Sequence, residues 1–150
     1  MAEGRMKLYL ASPLGFAAST AAYREELHEA LSSLGVDVVD PWDSAMAPPR
    51  TAESALAIGR LNFRLIDACD AVLAVLDGSD IDSGTACEVG YARARGLVVH
   101  GLRSDVRLSG EYAELGINLQ VACAVIDSGG KLLCGIEDLS AIEQPATAAA

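Results

Sequence analysis

The stretch Ala71-Val-Leu-Ala-Val-Leu76, followed by Asp77-Gly-Ser-Asp-Ile-Asp-Ser-Gly-Thr-Ala-Cys-Glu88-Val-Gly-Tyr-Ala92, decides how this chain is read. Its first part is uninterrupted and apolar, the signature of a strand buried on both faces. Its second part is helical from Thr85 to Arg95, with Gly96 as the stop. Between them lie three aspartates and two glycines in eight residues. A turn alone does not need three acids.

The same alternation runs outward in both directions. Lys7–Ala11 reads as a first strand, broken by Ser12-Pro-Leu-Gly15. Thr20–Leu34 carries apolar or small residues at helical spacing (Ala22, Leu27, Ala30, Leu31, Leu34) and ends at Gly35. Val36–Val39 is a second strand, closed by Asp40-Pro41-Trp42. Asp43–Arg50 is a loop placed to cover a pocket. Thr51–Ala68 is a long helix with Ala55, Leu56, Ile58, Leu61, Leu65 and Ile66 apolar. Beyond Arg95, Leu97–Leu102 reads as a fourth strand and Arg103–Gly116 as irregular. Asn118–Ile126 is a short helix, Lys131–Cys134 a weak fifth strand and Glu137–Glu143 a closing helix. Strand–helix alternation predicts an α/β, flavodoxin-like or Rossmann-like three-layer sandwich, with a central parallel five-stranded sheet and Ala71–Leu76 in its middle. Ligands then bind beyond the carboxyl ends of the strands. That rule gathers Tyr9–Phe16, Asp40–Pro49 and Asp77–Glu88 in one crevice.

Composition narrows the function. One domain is expected for 150 residues, with Gln144–Ala150 as a frayed tail. A net charge of −10 argues against nucleic-acid binding, which needs clustered Lys and Arg. No apolar run can span a bilayer and Met1–Arg5 has no signal core, so a cytoplasmic protein is expected. Four separated cysteines read as buried apolar residues in a reducing compartment. Two scattered histidines suggest no metal site.

For the acidic loop three readings stand side by side. Asp82 or Ser83 can cap the helix that follows. Asp77, Asp80 and Asp82 offer oxygen ligands, but their spacing misses the calcium-loop pattern. Glu88 sits near the second helical turn, leans back toward the crevice and has small or apolar neighbours on a helix expected to be largely buried. A carboxylate so held is a candidate nucleophile or base.

Four pieces in this order resemble the nucleoside 2-deoxyribosyltransferase family: Leu8-Tyr-Leu-Ala-Ser-Pro-Leu14; Asn62 before Asp70-Ala-Val-Leu-Ala-Val75; Asp77-Gly through Asp82-Ser-Gly-Thr-Ala-Cys-Glu88-Val-Gly-Tyr-Ala92; and Asp105-x-Arg107 with Asn118-Leu-Gln120-Val. The third is the specific one. The resemblance implies that Glu88 is a nucleophile attacking the anomeric carbon of a 2′-deoxynucleoside. It makes Asp82 the group handling the base's proton, and Tyr9 the hydroxyl that steadies Glu88. The sugar would pass to a second base with retained configuration, without a cofactor. Asn62 stands where many members carry an acid and is expected to contact substrate. Asn118 and Gln120 are implied to reach a neighbouring subunit's site, hence a homo-oligomer. Ser12 and Gly84 are expected at the substrate site, with Asp77 as either loop support or substrate contact. Trp42 and Met46 are candidates for stacking on a base, and Arg107 for pairing with an acid. The expected partners are 2′-deoxynucleosides and free nucleobases. Two alternatives stand: hydrolysis of 2′-deoxynucleoside 5′-monophosphates, and a non-catalytic nucleotide sensor.

Overall fold

A computed structural model describes residues 5–44 and 48–142. Met46, part of the Asp43–Arg50 loop, Glu143 and the tail from Gln144 lie outside them. Five strands, β1 (Lys7–Ala11), β2 (Asp37–Val39), β3 (Ala71–Val75), β4 (Val98–Leu102) and β5 (Leu132–Leu133), form one sheet in the order β2-β1-β3-β4-β5, every pair parallel. The helices between them are α1 (Ala21–Ser33), α2 (Ala52–Asp67), α3 (Ser83–Ala94) and α4 (Leu119–Asp127). β3 is central and every one of its residues is buried, which explains its unbroken apolar run. The closing helix is a 3-10 segment, Ile136–Ala141.

Strand periodicity of two divides the core into two layers. Leu8, Leu10, Leu73 and Val75 pack on one face with Leu27 and Leu31 of α1 and with Leu139 and Ile142. Tyr9, Ala11, Val72 and Ala74 point to the other, packing with Ile66, Val89, Ala92, Val121 and Val125 from α2, α3 and α4. Tyr9 is therefore on the same side of the sheet as Glu88. Successive strands lie on opposite sides of β1: β2 on one edge, β3 on the other. The crevice opens where the order switches, beyond the carboxyl ends of β1 and β3.

Two expectations are corrected. α3 is not largely buried: Thr85, Val89 and Ala92 face the core, while Ser83, Gly84, Cys87 and Gly90 are exposed. Small side chains on the outer face of a helix look like core in a sequence because size alone does not report burial. For the same reason the cysteines are not all interior. Cys69 is buried, its thiol pushed up to about 11 chiefly by that burial, whereas Cys87, Cys123 and Cys134 are exposed. α2 is likewise a peripheral helix, with only Ile66 fully buried and Leu56 55% exposed. Its start is fixed by a reciprocal capping box between Thr51 and Ser54.

Candidate active site

α3 begins at Ser83, two residues earlier than the spacing suggests, because Asp82 is its N-cap. Asp82 Oδ2 accepts from the Thr85 amide at 2.9 Å and from Thr85 Oγ1 at 3.2 Å. The cap fixes the first turn, and Glu88 follows one and a half turns later. Its Oε1 accepts from Tyr9 Oη at 2.8 Å and from Asn62 Nδ2 at 3.3 Å. Three elements thus meet at one carboxylate oxygen: β1, α2 and α3. Among the described residues Oε2 of Glu88 accepts no hydrogen bond, so its lone pairs remain available.

The electrostatics follow from this enclosure. Burial raises the Glu88 pKa above the ordinary glutamate range; the Tyr9 and Asn62 hydrogen bonds oppose that rise, and the charges of Asp82 and Asp40 add to it. Burial, then the neighbouring Glu88 charge, push the Tyr9 hydroxyl far upward. Tyr9 therefore keeps its proton and donates a hydrogen bond to Glu88.

A pocket of about 150 Å³ opens beside Glu88. Asp82, Gly84, Thr85 and Glu88 form its acidic wall, Ile58 and Asn62 its α2 wall, and Ser12, Phe16, Pro41 and Trp42 its third wall. The three segments expected in the crevice do converge there. Ile58 was not foreseen; nothing in its local sequence distinguishes it from a scaffold residue.

Other singled-out residues lie elsewhere. Asp77 does not line the pocket. Its carboxylate accepts from the Ser104 amide at 2.6 Å, Ser104 Oγ at 2.8 Å and the Asp105 amide at 2.9 Å. It ties the loop after β3 to the loop after β4, the loop-support alternative. Arg107 does pair with an acid, donating through Nε at 2.9 Å to Asp105, whose carboxyl it holds well below the usual range. Asp105 in turn accepts from the Gly78 amide at 3.1 Å. Gly78 has φ +122°, and a Cβ there would sit 2.8 Å from the Asp80 carbonyl, so this turn requires glycine. Asp80 is exposed, and among the described residues its carboxylate accepts only from the next amide, that of Ile81. Asn118 caps α4 through Oδ1, accepting from Gln120 and Val121 amides at 3.0 and 3.3 Å. With Gln120 it borders an open groove between α3 and α4, separate from the Glu88 pocket.

One cluster of metal-ligand type occurs among the described residues: His28, Asp40 and Asp43, with ligand atoms within 4.8 Å of one another. The Arg24 guanidinium bonds both carboxylates and offsets part of their charge.

The model of the family described as nucleoside 2-deoxyribosyltransferase matches residues 8–120. This chain belongs to that family. An uncharacterised Schizosaccharomyces pombe protein, C191.05c, is 36% identical over 110 residues, 67% of this chain and 51% of its own length, so the chain spans about half of that curated relative. A conserved protein from Enterococcus faecalis V583 superposes with a TM-score of 0.74 at 27% identity, covering 92% of this chain and 96% of that one. The 2-deoxyribosyltransferase of Bacillus psychrosaccharolyticus does so at 0.70 and 24% identity, over 91% and 92%. The CMP N-glycosidase BcmB of Clostridium botulinum shares the fold at 0.56 and 19%, over 90% and 94%. Among the described residues no helix is long and apolar enough to cross a membrane.

Proposed function

We propose that this protein transfers 2-deoxyribose between nucleobases through a glutamyl-deoxyribosyl ester. One observation carries the reading: a pocket-lining, partly desolvated Glu88 is held through one oxygen by Tyr9 and Asn62, with its second oxygen free and Asp82 on the same wall. In the first half-reaction Glu88 Oε2 attacks the anomeric carbon. The bond to the base breaks, its electron pair goes to the ring nitrogen, and a proton from Asp82 neutralises the leaving base. In the second, an incoming base attacks the anomeric carbon of that ester, the bond from this carbon to Glu88 Oε2 breaks with its electron pair going to the departing carboxylate, and Asp82 takes the proton of the incoming base back. Two inversions retain the configuration. Oδ2 of Asp82 is engaged by the cap, which leaves Oδ1 for this exchange. Tyr9 and Asn62 stabilise the carboxylate both before attack and on departure. A 2′-deoxy sugar suits such a site because its oxocarbenium-like transition state lacks an electron-withdrawing hydroxyl. Neither a metal nor a cofactor takes part in this scheme.

Hydrolysis of a nucleoside 5′-monophosphate is the rival, because a CMP N-glycosidase shares the fold. Among the described residues no Lys or Arg lines the pocket, which does not favour a phosphate. In the proposed scheme Asn118 and Gln120 act at a neighbouring subunit's site in a cytoplasmic homo-oligomer. Deoxyuridine with adenine should yield uracil and deoxyadenosine. Deoxyuridine alone should yield almost no uracil. Uracil release independent of adenine, or turnover only of a 5′-monophosphate, would replace transfer by hydrolysis. No turnover with any of these substrates would leave the sensor.

A further inference from the structure

Trp42 is fixed from four directions. Its amide donates to Asp40 Oδ1 at 2.9 Å, and its Nε1 donates to the Ser12 carbonyl at 2.9 Å. The Phe16 ring meets it edge-on, centroids 4.6 Å apart at 78°. Gly15 lies against the ring so closely that a Cβ there would come within 2.0 Å of Trp42 Cδ2. Yet the residue is 37% exposed and lines the pocket. A tryptophan serving only as core would be buried. An idle surface tryptophan would not have both N–H groups satisfied and a glycine reserved for its ring. Immobility with an open side toward a pocket suits a flat ligand with apolar faces.

The support continues behind it. Asp40, whose side chain is 0% exposed, accepts on Oδ2 from Arg24 Nε and His28 Nε2, both at 2.8 Å. Those two residues are one turn apart on α1, so a helix on the opposite face of the sheet is tied to the Pro41–Asp43 turn that carries Trp42. A buried carboxylate with paired donors is costly to assemble and fixes geometry when complete.

We propose that Trp42 is the platform on which the nucleobase stacks. Gly15 and Asp40, the latter anchored by Arg24 and His28, are positioning residues that set its plane. The identity of the ligand rests on the deoxyribosyl-transfer reading: Glu88 must face the sugar, which leaves the aromatic wall as the match for the heterocycle.

Trp42 is the chain's single tryptophan, so its emission reports the platform directly. In a Glu88→Ala background, adenine alone should quench Trp42, and 2-deoxyribose alone should not. Calorimetric titration with deoxyadenosine and adenine should show at least a roughly tenfold weaker affinity in Gly15→Ala, Asp40→Asn and Trp42→Ala, and near-parental affinity in Trp42→Phe. With Glu88 present, Gly15→Ala should raise KM while kcat stays within about twofold, a split that general loss of structure would not produce. Where Asp40→Asn fails to fold, Gly15→Ala and Arg24→Gln carry the same test. Parental nucleobase affinity in Gly15→Ala and Trp42→Ala overturns the platform and leaves the transfer chemistry standing. Absence of any nucleoside or base binding in the Glu88→Ala parent, or its continued turnover, overturns the transfer reading and the platform with it.

Discussion

Glu88 combines a charge with burial, and the two oppose each other in stability. Its folded pKa is raised, chiefly by desolvation. A carboxyl raised in the native state binds more protons there than when unfolded. Stability therefore falls as pH rises from the ordinary glutamate pKa through the raised value. Glu88→Gln removes that titration and should raise Tm at pH 7, with a smaller gain near pH 4, while abolishing turnover; thermal melts at the two pH values read the difference. Tyr9→Phe deletes the hydrogen bond that favours the Glu88 carboxylate. The acid limb of the pH–rate profile should move upward, and the rate should fall roughly 10- to 100-fold, the usual worth of a hydrogen bond to a charged group. An unmoved acid limb would exclude Tyr9 from steadying the nucleophile. Glu88, Asp82 and Tyr9 were legible as a group because D-S-G-T-x-x-E-x-G-Y-A is a specific run and Tyr9 sits at a defined parity on β1. Ile58 was not, since an apolar helix residue looks the same whether it faces a pocket or a core.

At the scale of the element, α3 does two jobs with one residue. Asp82 caps the helix and contributes a carboxylate to the pocket wall. Serine also caps well but brings no carboxylate. Asp82→Ser should keep Tm within a degree or two and still lose most of the transfer rate. Asp82→Ala should lose both, with about 1 kcal/mol taken from stability. Calorimetry beside a rate assay separates the roles; equal turnover in Asp82→Ser and the parent would reduce Asp82 to a cap. The two roles were visible as alternatives in the sequence; the cap engages Oδ2, which leaves Oδ1 for the proposed proton transfer. The exposure of α3 was not visible: Gly90 and Ala94 border the open groove with α4 rather than a core.

Across the whole molecule, the sheet order puts β1 beside β3, and so brings Tyr9, Asn62 and Glu88 together over separations of 79 and 26 residues. Asn118 and Gln120 fall outside that pocket, on the α3–α4 groove. If they serve a neighbour's site, mixing inactive Glu88→Ala with inactive Asn118→Ala protein should restore part of the activity, since a mixed assembly contains sites free of both changes. No restoration after subunit exchange would confine Asn118 to its capping role.

The order of strands and helices, the buried central strand and the acidic turn after it were determined by the sequence alone, because hydrophobic period and turn chemistry are local properties. The family followed from a short specific run. Which acids line the pocket and which brace loops was decided only by the tertiary structure. Asp77 and Asp82 are the same residue type five positions apart, yet Asp77 is consumed by Ser104 and Asp105 while Asp82 reaches the pocket. The Arg24–His28–Asp40 anchor behind Trp42 was equally hidden. A buried charge finds its partners through packing of α1 against the sheet, and no local pattern announces that meeting.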